Sequence, residues 1–299
     1  MTDATAPIVL AGATGDLGGR IAHALAARGA TVRALVRKGA RHDTLPPSVT
    51  VIAVDFADPS RLAVACAGAT CVVSAVNGLA EVVLGLQTQL LNAAVSSGVP
   101  RFIPSDYSLD FTRTTPGRNR NLDLRRAFMA RIDAAPIRAT SILNGAFADL
   151  LAGQAPIVLP RIRRILHWGS ADQAYDFTTK DDVAAFTAAA AMDDATPRLL
   201  RIAGDSVSPR DLTAIMTGVT GQRFGLLRAG GVSALRALIG LSRVVAPQRE
   251  ALFPAWQGMQ YLRDMASGQG KLLPLDNCRY SDVSFTSAKT VLSSAYARV

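Results

Sequence analysis

Three glycines, Gly12, Gly15 and Gly18, stand three residues apart between the apolar run Ile8–Ala11 and an amphipathic run that begins at Leu17. A strand, a glycine turn and a helix in that order constrain the chain strongly. Gly12 lets the strand turn sharply. Gly15 lets a pyrophosphate approach the backbone N–H groups, and Gly18 lets the helix pack closely on the strand. The helix N-terminus supplies partial positive charge to the phosphates. Thr14, Asp16 and Leu17 fill the positions between and beside the glycines, so Gly12–Gly18 as a whole is the candidate dinucleotide cradle. A glycine triplet alone can also be a tight turn without a ligand. Here the context is right, because a second strand follows at residues 31–36. It ends at Arg37-Lys38, beside the expected adenosine ribose. An acidic residue there would bind the 2′-hydroxyl of NAD, whereas a cation accommodates the 2′-phosphate of NADP. Arg37 and Lys38 therefore point to NADP(H), the alternative being two solvated loop cations.

The remaining first half alternates strand and helix. Strands are expected at residues 51–56, 71–76, 101–103 and 139–143, with helices at 17–28, 60–67, 81–97 and 122–133. The last of these is capped by Asn121 or an earlier residue. This alternation predicts an α/β fold, a doubly wound parallel sheet with right-handed crossovers. Ligands of such sheets sit at the strand carboxyl ends. Those ends carry Asp55 and Phe56, suited to hydrogen-bonding and walling an adenine. They also carry Asn77, Ser105-Asp106-Tyr107 and Asn144. Asp55 lies just before Asp58-Pro59-Ser60, which opens a helix, and Asp106 can equally cap a turn.

The net charge is +9, with four lysines against 28 arginines. The arginines are scattered, and no block of like charge suggests a nucleic-acid tail. The densest group, Arg161, Arg163 and Arg164, reads as a solvated face or an anion contact. Cys66, Cys71 and Cys278 match no metal spacing or disulfide framework, which fits a reducing cytoplasm. No apolar run reaches the roughly 20 residues of a membrane span, and the N-terminus lacks a signal-peptide plan. No metal, membrane or nucleic-acid partner is expected. A homodimer is allowed.

Four segments together carry a resemblance. They are Gly12-Ala13-Thr14-Gly15-Asp16-Leu17-Gly18, Val32–Arg37, Arg101-Phe102-Ile103-Pro104-Ser105-Asp106-Tyr107 and Asn144-Gly145-Ala146-Phe147. The chain resembles the NmrA-like group, atypical short-chain dehydrogenases related to isoflavone reductases, most strongly over residues 7–190. The resemblance implies a Rossmann domain that binds NADP(H) and a smaller α+β C-terminal substrate lobe. It also implies either reduction of aromatic natural products and quinones or a non-catalytic NADP(H) sensor that regulates a partner. The reductases carry a lysine where this chain has Arg125, and no lysine occurs between Lys38 and Lys180. No tyrosine is followed four residues later by lysine. Residues 1–155, completed by about 176–204, are expected to form the cofactor domain. Residues 156–175 and 205–299 are expected to form the substrate lobe.

Hydride transfer needs a group that donates a proton or stabilises a developing anion. Arginine is a poor proton donor, so Arg125 is a candidate oxyanion stabiliser. Tyr107 is a candidate acid if a cation lowers its phenol from the ordinary value of about 10. His167, beside Trp168 in the segment expected to fold over the nicotinamide, is a third candidate. His23 reads as structural, His42 as a neighbour of the adenosine end, and Lys180 as a surface residue before a helix at 181–192. Further helices are expected at 209–219, 231–245, 250–267 and 287–297. In the third of these, Phe253, Trp256, Met259 and Leu262 form an apolar stripe that is either core or the wall of a pocket for an aromatic ligand. The expected activity is NADPH-dependent reduction of a small, largely apolar, aromatic or quinone-like molecule.

Overall fold

A computed structural model describes residues 6–297. Two apolar strands, β1 (Ile8–Ala11) and, later in the chain, β4 (Cys71–Ser74), are buried at every residue. This is what a central parallel strand covered on both faces requires. Helix α1 (Asp16–Ala27) follows β1, and β2 (Val32–Arg37) and β3 (Thr50–Val54) extend the sheet to one side. No helix lies between β2 and β3. Helix α2 (Pro59–Cys66) leads into β4, and α3 (Gln87–Ser96) leads into β5 (Arg101–Ile103). Helix α4 (Arg120–Asp133) precedes β6 (Arg138–Ala139) and β7 (Ser141–Leu143). The sheet order is β3-β2-β1-β4-β5-β6, all parallel. The winding direction reverses between β1 and β4, which opens a crevice at their carboxyl ends. This is the doubly wound Rossmann arrangement that the alternation of elements predicts.

The strand expected at 139–143 is split. Thr140 still donates its backbone N–H to Phe102 O at 3.0 Å, but its hydroxyl turns to Thr196 and Pro197. The chain then continues with β8 (Ala146–Phe147), β9 (Val158–Leu159), β10 (Arg164–Trp168) and β11 (Tyr175–Thr178). Helix α5 (Lys180–Met192) follows, capped by the Thr179 side chain. Its Ala-rich surface is buried nearly all round, and it lies against α1 on one face of the sheet. Arg101, buried in β5, donates to the carbonyls of Ala190 and Ala191 at the C-terminal end of α5, where positive charge is favoured. Strand β12 (Leu199–Arg201) pairs in parallel with β7.

The remaining elements build a second core. They are β13 (Asp205–Val207), α6 (Pro209–Thr220), β14 (Gly225–Gly230), α7 (Val232–Val245), α8 (Ala255–Ala266) and α9 (Ala288–Tyr296). Strand β10 lies between β9 and β14, and β11 lies between β8 and β13. A capping box at Ser208 and Asp211 opens α6. Two local expectations need correction, and a third is made specific. Residues 81–86 form a π-helical turn, so the long helix before β5 is not uniform. Asn119, the earlier of the residues that could cap α4, is the one that does so, through Leu122 N. Helix α8 begins only after Pro254, which leaves Phe253 outside the stripe and 60% exposed, while Trp256 is buried.

Candidate cofactor crevice and its polar neighbours

The glycine turn is fixed by backbone crowding. Gly12 has φ +86°, and a Cβ there would lie 2.5 Å from Ala75 O at the end of β4. A Cβ on Gly18 would lie 2.0 Å from Gly12 O, so α1 touches the turn directly. Gly15 is the N-cap residue of α1 and brings no capping side chain, which leaves the first-turn N–H groups of α1 open to an anion. Thr14, Gly15 and Asp16 are exposed, and Leu17 is half-buried against the core. Asp16 is not a free carboxylate. It is bonded to Lys180 Nζ at 2.7 Å and to Arg20 Nε at 2.8 Å. The Lys180 hydrogen bond, then the Arg20 one, holds its carboxyl below the usual range. Lys180 also reaches Asp149 at 2.9 Å, so it ties α5 to α1 and to the segment after β8 rather than standing as a lone surface cation. Burial pulls its pKa down, but the bonds to Asp16 and Asp149 leave it raised.

Arg37 and Lys38 lie exposed where β2 ends, and among the described residues neither forms an ion pair. His42 packs its Nδ1 3.1 Å from Ala40 O, and His23 its Nε2 3.0 Å from Thr44 O. Asp55 uses Oδ1 to accept from Ala57 N at 2.9 Å, and Asp58 caps α2 through Arg61 N at 3.0 Å. Phe56 is half-buried against the sheet, and Asn77 is exposed beyond β4. Ser105 donates its hydroxyl to Val76 O at 2.7 Å and its amide to Gln87 Oε1 at 2.8 Å, stapling the ends of β4 and β5. Gln87 is fully buried. Sequence reasoning missed it, because a glutamine inside an expected helix carries no distinguishing signal.

At the ends of β5 and β7 several buried polar groups converge. Asn144 is fully buried, and neither atom of its side-chain amide has a partner, while its backbone is held by Ser108 O and Thr178 Oγ1. Asp106 accepts from Ser141 Oγ at 2.6 Å through Oδ2, and its Oδ1 is unpartnered. Burial pushes its carboxyl up to about 6, against the Ser141 hydrogen bond and the charges of Arg125 and Arg198. Arg125 donates Nη1 to Asn121 O at 3.1 Å, and its buried Nε has no partner. Its charge lowers the pKa of Asp106 and of Tyr261 in α8, against the rise that burial imposes on both.

Tyr107 does not meet the condition set for it. It is 5% exposed in the core shared with α5, its hydroxyl is sealed and without a hydrogen bond, and burial raises rather than lowers its pKa. His167 is buried in β10 with Nδ1 unpartnered. Burial, then the charges of Arg228 and Arg210, lowers its pKa from the ordinary imidazole value. The structure thus brings Asp106, Arg125 and Asn144 towards one end of the sheet, and separates Tyr107 from solvent. Among the described residues no group of His, Cys, Asp or Glu is arranged to hold a metal ion, and no helix is long and apolar enough to cross a membrane.

Comparison with known proteins agrees with this architecture. A maize (Zea mays) isoflavone reductase homolog is 29% identical over 246 residues, 75% of this chain and 77% of its own length. A bifunctional pinoresinol-lariciresinol reductase from Linum perenne is 30% identical over 149 residues, 46% of this chain and 47% of that protein, so the match spans less than half of that enzyme. Among solved structures, AtPrR2 with NADP⁺ and (+)-pinoresinol superposes with a TM-score of 0.82 at 21% identity, covering 97% of this chain and 99% of that one. The NmrA-like family pattern matches residues 4–254. With the glycine turn, the sheet order and this match in agreement, the chain belongs to the NmrA-like family.

Proposed function

We propose that the protein is an NADPH-dependent reductase acting on a small, largely apolar molecule of the aromatic, phenylpropanoid or quinone kind. The observation that carries the reading is the open N-terminus of α1 at Gly15 beside the unpaired Arg37 and Lys38. Peptide N–H groups and the helix dipole suit a pyrophosphate, and the two cations suit a 2′-phosphate. The unpartnered Asn144 amide offers both a donor and an acceptor to a carboxamide. When bound, the cofactor supplies the hydride. Arg125 is the group best suited to stabilise charge on a substrate oxygen, because it is a cationic side chain whose buried Nε has no hydrogen-bond partner. Solvent then supplies the proton, since Tyr107 is sealed. The division into a cofactor unit (1–155 with 176–204) and a substrate unit (156–175 with 205–299) belongs to the same proposal, with the substrate bound between them.

One observation favours the regulatory alternative. Arginine stands where the family's reductases have lysine, so no side chain at that position can exchange a proton near neutrality. The test is loss of NADPH absorbance against a panel of quinones, enones and aromatic ketones. Saturable turnover with a panel member supports the reductase. Tight NADP⁺ binding without turnover of any member overturns it and favours the sensor.

A further inference from the structure

Helix α7, helix α8 and the loop before α4 enclose a cavity of about 260 Å³. Its charged side chains are all arginines: Arg118, Arg236, Arg243 and Arg263. Arg263 forms the fixed floor. It is 6% exposed, donates Nε and Nη2 to Asp264 Oδ1 at 2.9 and 2.6 Å, and donates Nη1 to Arg118 O at 3.0 Å. Asp264 spends its other oxygen on Asn119 at 2.9 Å, so its charge is committed to this floor. Among the described residues Arg118, Arg236 and Arg243 form no ion pair. Like charges gathered around one concave space repel, and an anion placed between them removes that repulsion.

Two features keep the site in shape. Arg243 lies over the Trp256 ring at 5.4 Å, with Arg120 at 4.7 Å from the same ring. Gly240 stands in the interior of α7, where glycine weakens a helix relative to alanine. No atom lies within 4 Å of where its side chain would be, so the glycine leaves the cavity its room.

We propose that this cavity binds a small molecule bearing two or more closely spaced anionic oxygen groups, a polyphosphate or a polycarboxylate. The site shares no residue with the glycine turn, and the proposal stands whether or not the protein reduces anything. It is tested by calorimetric titration of the full chain at low ionic strength with inorganic pyrophosphate and, separately, with citrate. Saturable binding of either probe is expected, and the tighter of the two identifies the source of the charge. Loss of hydrogen bonds to charged groups predicts affinity about tenfold or more weaker in an Arg236→Ala/Arg243→Ala double variant. Both arginines are exposed, and a urea midpoint equal to the parent's checks that the variant folds. Gly240→Leu fills the cavity without changing its charge and is expected to abolish the same binding. Pyrophosphate bound at the glycine turn would be untouched by either variant. No saturable heat with either probe, or equal affinity in parent and both variants, overturns the proposal.

Discussion

Arg37 can make two parallel hydrogen bonds to a phosphate, and no carboxylate of the described chain competes for it. Arg37→Ala is therefore expected to weaken NADPH binding about tenfold or more and to leave NADH binding nearly unchanged. Calorimetric titration with each nucleotide decides this, and equal losses for both refute a 2′-phosphate contact. Arg125 calls for a different measurement. If it stabilises an oxyanion, Arg125→Ala lowers kcat on the order of 10²-fold and leaves the affinity for NADPH alone. Unchanged kcat would remove it from the chemistry. Asp106 bears on stability instead. Its carboxyl is raised to about 6 in the folded chain from the ordinary 3.8. A raised pKa gives stability that is fully present below about pH 4 and is lost as pH rises through about 6. Asp106→Asn should flatten that part of the profile and leave the variant the more stable above pH 7. Urea midpoints across pH 4–8 would show it, and parallel profiles would contradict it. At this scale the glycines were legible because steric crowding acts between near neighbours in sequence. Tyr107 was not, since the α5 surface that seals it comes from residues 183–191.

At the scale of elements, most helix starts were readable because their caps are local. Thr179, Ser208 and Ser287 each cap the helix that follows through their own side chains. What escaped was set by tertiary contacts. Thr140 interrupts a strand because its hydroxyl finds Pro197 O on a segment far along the chain. The stripe lost Phe253 because α8 begins only at Ala255, after Pro254, and Phe253 is left exposed. The joint between β1 and α1 offers the sharpest element-scale test. A methyl group on Gly18 has nowhere to go except by moving α1 away from Gly12 O, only 2.0 Å from the new atom. Gly18→Ala should cost about 1–3 kcal/mol or more in urea unfolding, and should weaken dinucleotide binding by displacing the N–H groups of the turn. Gly29→Ala is the contrasting case. It follows the same helix with φ +74° and meets no neighbouring atom, so it carries backbone strain without displacing α1 and should spare binding.

Across the whole molecule, the glycine turn was legible because one strand–turn–helix unit builds it. The arginine cavity was not, because residues 118, 236, 243 and 263 meet only when three separate segments pack. The same long-range logic governs the free edge of the sheet. Strand β12 pairs with β7 on one side only, and an open edge invites pairing with another chain. Here the segment before α9 returns and closes it. Arg201 donates its N–H to Asp276 Oδ2 at 2.8 Å and accepts from Asp276 N at 2.7 Å. Ala203 makes the matching pair with the Asn277 side chain at 3.1 and 2.7 Å. Further along, Tyr280 packs edge-on to Phe186 at 5.0 Å, and Thr286 is held by Asp182. The second core is thereby fastened to the first by side chains that imitate a neighbouring strand. Removing them leaves partly buried backbone groups unpaired, each costing about 1–3 kcal/mol. An Asp276→Ala/Asn277→Ala variant should therefore unfold at lower urea and exchange the Arg201 and Ala203 amide hydrogens faster than the parent. It should also self-associate at concentrations where the parent does not, because the edge it uncovers can pair with another copy. If amide exchange at those two residues is unchanged, the edge is closed by something other than this segment.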